Sequence, residues 1–153
     1  MSRRRASDRA RRTLARWAAD ERGAAVVEFA VVVPVLLTLV TAVIDFGRMI
    51  AVATSLAAAV RDGARQAATA TDLTAGGTQA QAVQARVVAA FQAFGGAALT
   101  TGQVTVTPPD AAGNVRVSVA GYTYRPITPI ASLAGLGTVT LARSATFRWE
   151  RAL

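Results

Sequence analysis

Glu28 is the residue of this chain best placed to do chemistry. It lies in Arg22-Gly23-Ala24-Ala25-Val26-Val27-Glu28-Phe29-Ala30, and from 24 to 44 it is the only charged residue. A carboxylate at the mouth of a membrane span is costly, so one retained there usually has a task. The spacing suggests which. If the chain is cut after Gly23, Glu28 becomes the fifth residue of the product, close to a new ammonium of opposite charge. The alternative is that Glu28 sits at headgroup level near Arg22, where a carboxylate costs little. One helical turn of ~5.4 Å separates the two placements.

Other chemistry is scarce. The 153 residues contain no cysteine and no histidine. Disulfides, thiolate metal sites, Ser-His-Asp triads and histidine-bearing metal motifs are therefore excluded. The nine acids are scattered along the chain. An enzyme is not expected, and no catalytic, metal or cofactor-binding residue and no small-molecule substrate is assigned.

The elements that position Glu28 follow from hydropathy and charge. Residues 1–23 hold eight arginines against Asp8, Asp20 and Glu21, which is +5 of the chain's net +8. Such an arm can bind nucleic acid, but it has no run of aromatic side chains on which bases could stack. Beside an apolar span, the positive-inside rule accounts for it, so nucleic acid is not expected as a partner. The run 24–44, at ~1.5 Å per residue, reaches ~32 Å, enough to cross a hydrocarbon core of ~30 Å. Pro34 interrupts it, as membrane helices tolerate. The expected organisation is a basic cytoplasmic leader over 1–23, a transmembrane helix over 24–44 and an extracytoplasmic α+β domain over 45–153. The leader reads as helical over 9–19.

The helix is expected to continue to about residue 70. Met49, Val52, Ala53, Leu56 and Val60 recur at three and four residues, giving one apolar stripe. Asp45 and Arg48, and likewise Asp62 and Arg65, are three apart and can pair weakly. A second helix is expected over 78–94, with Thr78 as cap, Val83, Val87, Phe91 and Phe94 as its apolar face, and Gly95-Gly96 as stop. The period then becomes two. Val104 and Val106, then Val115, Val117 and Val119, then Tyr122 and Tyr124, mark strands, and the parity change at Ala120-Gly121 suggests a bulge. Residues 139–149 alternate most cleanly, with Val139, Leu141, Phe147 and Trp149 on one face and Arg143 as its odd member. The fold class is α+β: one long helix that crosses the membrane and continues as an amphipathic helix, a second helix, and a three-stranded antiparallel sheet.

Arg22-Gly23, Val27-Glu28-Phe29-Ala30, Pro34 and Asp45-Phe46-Gly47-Arg48 together resemble the N-terminal signature of the TadE-like family, the small pseudopilins of tight-adherence (Tad/Flp) pilus systems. The resemblance covers residues 22–48. It implies a pilin-like head and a structural role in pilus assembly or a related secretion apparatus. It also implies processing by a prepilin-type peptidase, with Gly23 as the last leader residue, Ala24 as the new N-terminus, and Glu28 and Phe29 as the fifth and sixth product residues. Glu28 would then meet the ammonium of a neighbouring subunit and set subunit register. The implied partners are the membrane, the peptidase, and other pilins, pseudopilins and pilus assembly proteins. The motif assigns no chemistry to Asp45 and Arg48, which are expected to mark the outer membrane interface. Gly47 is either a close-packing point between helices or a tolerated glycine.

Two other functions fit parts of the sequence. A permanently anchored single-pass binding protein explains the span and the arm without cleavage. A conventionally secreted protein explains the basic start and apolar core, but its nearest small-x-small site, Ala51-Val52-Ala53, lies beyond Asp45 and Arg48.

Overall fold

The computed structural model describes residues 21–93, 99–127, 135 and 137–150. The helix expected over 9–19, Phe94 and the Gly95-Gly96 stop lie outside them. The first element is a 48-residue helix, α1 (Glu21–Ala68), which runs through Pro34 without a break. After a turn containing Gly76 (φ 72°) comes α2 (Thr78–Ala93). A 3-10 turn at Thr101–Gln103 leads into β1 (Val104–Thr107), followed by β2 (Asn114–Tyr124) and β3 (Val139–Arg148). The strands form one antiparallel sheet in the order β1-β2-β3.

The chain divides into two units, Met1–Val43 and Ile44–Leu153. In the first, the described part is apolar helix whose described side chains are exposed, Val33 and Thr41 being the half-buried exceptions. Its hydroxyls are satisfied within the helix: Thr38 Oγ1 donates to the Pro34 carbonyl at 2.7 Å and Thr41 Oγ1 to the Leu37 carbonyl at 2.9 Å. Such back-bonding lets threonine sit in an apolar helix with its polar atom paired.

The second unit holds the core. Leu56, Ala59, Val60, Ala64 and Ala67 of α1 meet Val83, Val87 and Phe91 of α2 and the inward row of the sheet, including Val104, Val115, Val117, Val119 and Tyr122. Leu56 and Val60, the last two residues of the stripe expected from spacing, are fully buried, whereas Met49, Val52 and Ala53 are only partly buried. The two helices approach closely at Gly63, where a Cβ would collide with Val87 Cγ2. Phe91 packs edge-on against Tyr122, with ring centroids 5.1 Å apart and planes at 81°. Such a pair adds about 0.5–1.5 kcal/mol to its area burial.

The sheet follows its alternation. The inward row of β2 changes parity between Val119 and Tyr122, where the register against β3 shifts, and Gly121 takes φ 74° there. Glycine alone adopts that conformation without a Cβ penalty, so the bulge falls at the parity change. Only Leu141 of the expected apolar face of β3 is buried; Val139 and Phe147 are half-buried, and Arg143 is exposed. β3 lies at the edge of the sheet, and its inward row is covered less completely than that of β2. Its far end has another use. The Glu150 N–H donates to the Ala68 carbonyl at 3.0 Å and the Trp149 indole N–H to the Ala70 carbonyl at 2.8 Å. Terminal helix carbonyls have no intrahelical donor, and the first bond supplies one while the second holds the segment that follows the helix. Here α1 ends, two residues short of the expected limit.

Candidate functional site: the apolar helix and its exit

Every residue expected to take part in processing lies on the first turns of α1. Gly23, Ala24, Glu28 and Phe29 are all exposed, and nothing comes within 4 Å of a Cβ built at Gly23. The Gly23–Ala24 peptide bond lies in the helix, close to its first described residue. Among the described residues, Glu28 has no hydrogen-bond or ion-pair partner. Val27, Ala30 and Pro34 are likewise exposed, and Phe29 is 68% exposed. Proline has no N–H to give the Ala30 carbonyl, a further polar group that the helix itself does not satisfy.

Gly23–Ala68 is, among the described residues, the one helix long and apolar enough to cross a membrane, and none of its most apolar window is buried. A core helix of a soluble protein would bury that window. An apolar stripe exposed on all sides is what a lipid-facing helix presents.

The Asp45-Phe46-Gly47-Arg48 segment divides in two. Phe46, Gly47 and Arg48 are exposed, and nothing lies within 4 Å of a Cβ built at Gly47. Asp45, expected as an interface marker beside Arg48, is 8% exposed and turned into the second unit. Its Oδ1 accepts the Ile127 N–H at 3.0 Å, and its backbone carbonyl accepts the Tyr124 hydroxyl at 3.2 Å. The physical reason is topological: the C-terminal end of β2 arrives beside the helix at this residue, with an N–H beyond the last ladder pair that needs an acceptor. Asp62 also finds a distant partner. Its carboxylate takes Arg86 Nε of α2 at 2.8 Å, rather than Arg65 of its own helix. Both groups are half-exposed, so this pair is worth at most about 1 kcal/mol.

Sequence reasoning missed three of these features: the Asp45 contact, the Asp62–Arg86 pair and the Gly63 crossing. Only Gly63 carried a local signal, since 56, 60, 63 and 67 continue the apolar stripe at helical spacing.

The geometry defines a class first: a chain with, among the described residues, one candidate membrane span whose helix continues into a small α+β head. Residues 23–65 match the family model of TadE-like protein. The chain thus carries a TadE-like segment, which takes in the candidate span, Asp45 and the amphipathic stripe as far as Arg65. No curated protein and no solved structure matches the chain.

Proposed function

We propose that this protein is a TadE-like minor pseudopilin: a structural, non-catalytic membrane protein that assists assembly of a Tad/Flp-type pilus or a related secretion apparatus. The prepilin-type peptidase removes the leader after Gly23, the N-terminal arm lies in the cytoplasm and the head lies outside. The observation that carries this reading is Glu28, the lone charged residue of the largely exposed apolar run 24–44, five residues after a glycine. The match of residues 23–65 supports it.

A lone carboxylate in lipid is unfavourable, and an ammonium at the N-terminus of a neighbouring subunit offsets that cost only when the subunits stack in register. Glu28 therefore selects one packing among many that the featureless apolar surface would allow. Glu28→Ala inserts normally but co-purifies poorly with pilins.

The first test is the N-terminus and intact mass of the protein from native membranes. A product beginning at Ala24, abolished by Gly23→Leu, supports the reading. An intact N-terminus makes the protein an uncleaved anchored one and returns Glu28 to the headgroup interface. A soluble product beginning near Thr54 means ordinary secretion and overturns both.

A further inference from the structure

We propose that the head has its own foothold on the bilayer: the segment Arg125–Ile127 rests on the leaflet at the C-terminal mouth of the span. Ile127 enters the boundary between headgroups and acyl chains, and Arg48 and Arg125 meet lipid phosphates. This rests on the reading of 24–44 as a membrane span.

The argument begins with depth. The apolar run ends at Ile44, so Asp45 stands at the edge of the hydrocarbon. The Ile127 N–H is held on the Asp45 carboxylate at 3.0 Å. Residue 127 is therefore within a side chain's length of the level at which the span leaves the membrane. A second bond, from the Tyr124 hydroxyl to the Asp45 carbonyl, fixes the strand end that carries the segment.

Exposure points the same way. Ile127 is 63% exposed, and among the described residues of the second unit it is the one exposed large apolar side chain outside α1. On α1, Ile44, Phe46 and Ile50 are also exposed, carrying apolar surface six residues past the run's end. At ~1.5 Å per residue this is ~9 Å, about the thickness of a headgroup layer. Ile127 and Phe46 thus present apolar surface at the depth where amphipathic segments bury theirs.

Charge completes the fit. Arg48 and Arg125 are exposed and flank these apolar side chains in sequence. The one acid of this region, Asp45, is turned inward and hydrogen-bonded, so the surface facing the lipid is cationic. Arginines at a span's end extend along apolar surface and place their guanidinium groups among phosphates. An aqueous protein partner would leave Phe46 and Ile127 to be explained separately; a lipid surface takes the apolar and cationic groups together.

The chain has no cysteine, so single labels are clean. Leu37→Cys, Ile127→Cys and Ala75→Cys, each at an exposed position, are labelled with an environment-sensitive fluorophore in the full chain. The proteins are reconstituted into phosphatidylglycerol-containing vesicles that carry nitroxide-labelled lipids. Residue 75 follows the end of α1, which lies 24 residues, or ~36 Å of helix, past Ile44. Labels at 37 and 127 are expected to shift to the blue and to be quenched by the lipid nitroxide, while the label at 75 stays aqueous. A lipid-embedded label at 37 with an aqueous label at 127 overturns the foothold and leaves the span standing. An aqueous label at 37 overturns both. Adding Asp45→Ala is expected to move the label at 127 into water and leave 37 unchanged. A label at 127 that stays in lipid overturns the role of Asp45 in holding it there.

Discussion

Gly63→Ala tests the packing of the head most directly. Gly63 is buried on α1, and a Cβ there would overlap Val87 Cγ2 while standing 3.7 Å from Val83 Cγ1. The obstacle is a β-branched side chain in a helix, which has one strongly preferred rotamer and little room to turn aside. Overpacking of this kind costs about 1–3 kcal/mol. Replacing glycine by alanine within a helix returns up to about 1 kcal/mol. The added Cβ falls well inside contact distance of the Val87 methyl, which puts the cost in the upper part of that range, so the net loss is about 1–2 kcal/mol, or about 5–10 °C in Tm for a domain of this size. Gly47→Ala is the internal control: nothing lies within 4 Å of its added Cβ, so only the helical gain remains and Tm holds or rises. The assay is thermal unfolding of the full chain in detergent, followed by near-UV circular dichroism of the packed aromatics. Val87→Ala in the same molecule removes the obstacle, so the double variant loses less than the sum of the singles by at least about 0.5 kcal/mol. Equal melting of Gly63→Ala and Gly47→Ala, or strict additivity with Val87→Ala, would refute the close crossing of α1 and α2.

Three further outcomes are expected. Asp45→Ala strips the acceptor from the part-buried Ile127 N–H and costs about 0.5–1.5 kcal/mol, the net worth of one hydrogen bond, with faster amide exchange at Ile127 as the site-specific readout. Trp149→Phe keeps an aromatic ring but removes the indole donor from the Ala70 carbonyl, lowering stability by about 0.5–1.5 kcal/mol and fraying the end of α1 in exchange measurements. Asp110 accepts the Asn114 backbone N–H and side-chain amide and the Ala112 N–H, which hold its pKa below the ordinary carboxylate value. A depressed folded pKa contributes stability above the unfolded value and loses it as pH falls through the folded one. The amide signals of Ala112 and Asn114 should therefore shift together at acid pH below about 3.9, and Asp110→Ala should abolish that titration.

The elements of this fold were legible because each writes its period into adjacent residues. Val83, Val87 and Phe91 announced the inward face of α2, and the parity change at Ala120-Gly121 announced the bulge. The contacts that join elements leave no such trace. Asp62 has Arg65 one turn away, yet binds Arg86, 24 residues on, because α2 crosses at Gly63 and brings a second guanidinium beside it. Periodicity says which face of a helix is inward, not which side chain waits opposite.

Asp45 carries the lesson furthest. Read as spacing, Asp45-Phe46-Gly47-Arg48 is an acid and a base at the water's edge, and nothing separates the role of one from the other. In the fold, the acid is spent inside the head on a donor 82 residues away, while the three residues after it face outward. A short polar motif at the end of a span thus holds two devices on one helical turn. One is an inward acceptor that fixes where the sheet meets the helix. The other is an outward aromatic–glycine–arginine surface free to meet lipid or a neighbouring helix. Substitutions at 45 and at 46–48 should therefore separate cleanly, the first lowering the stability of the head and the others altering what the helix contacts while the head stays folded.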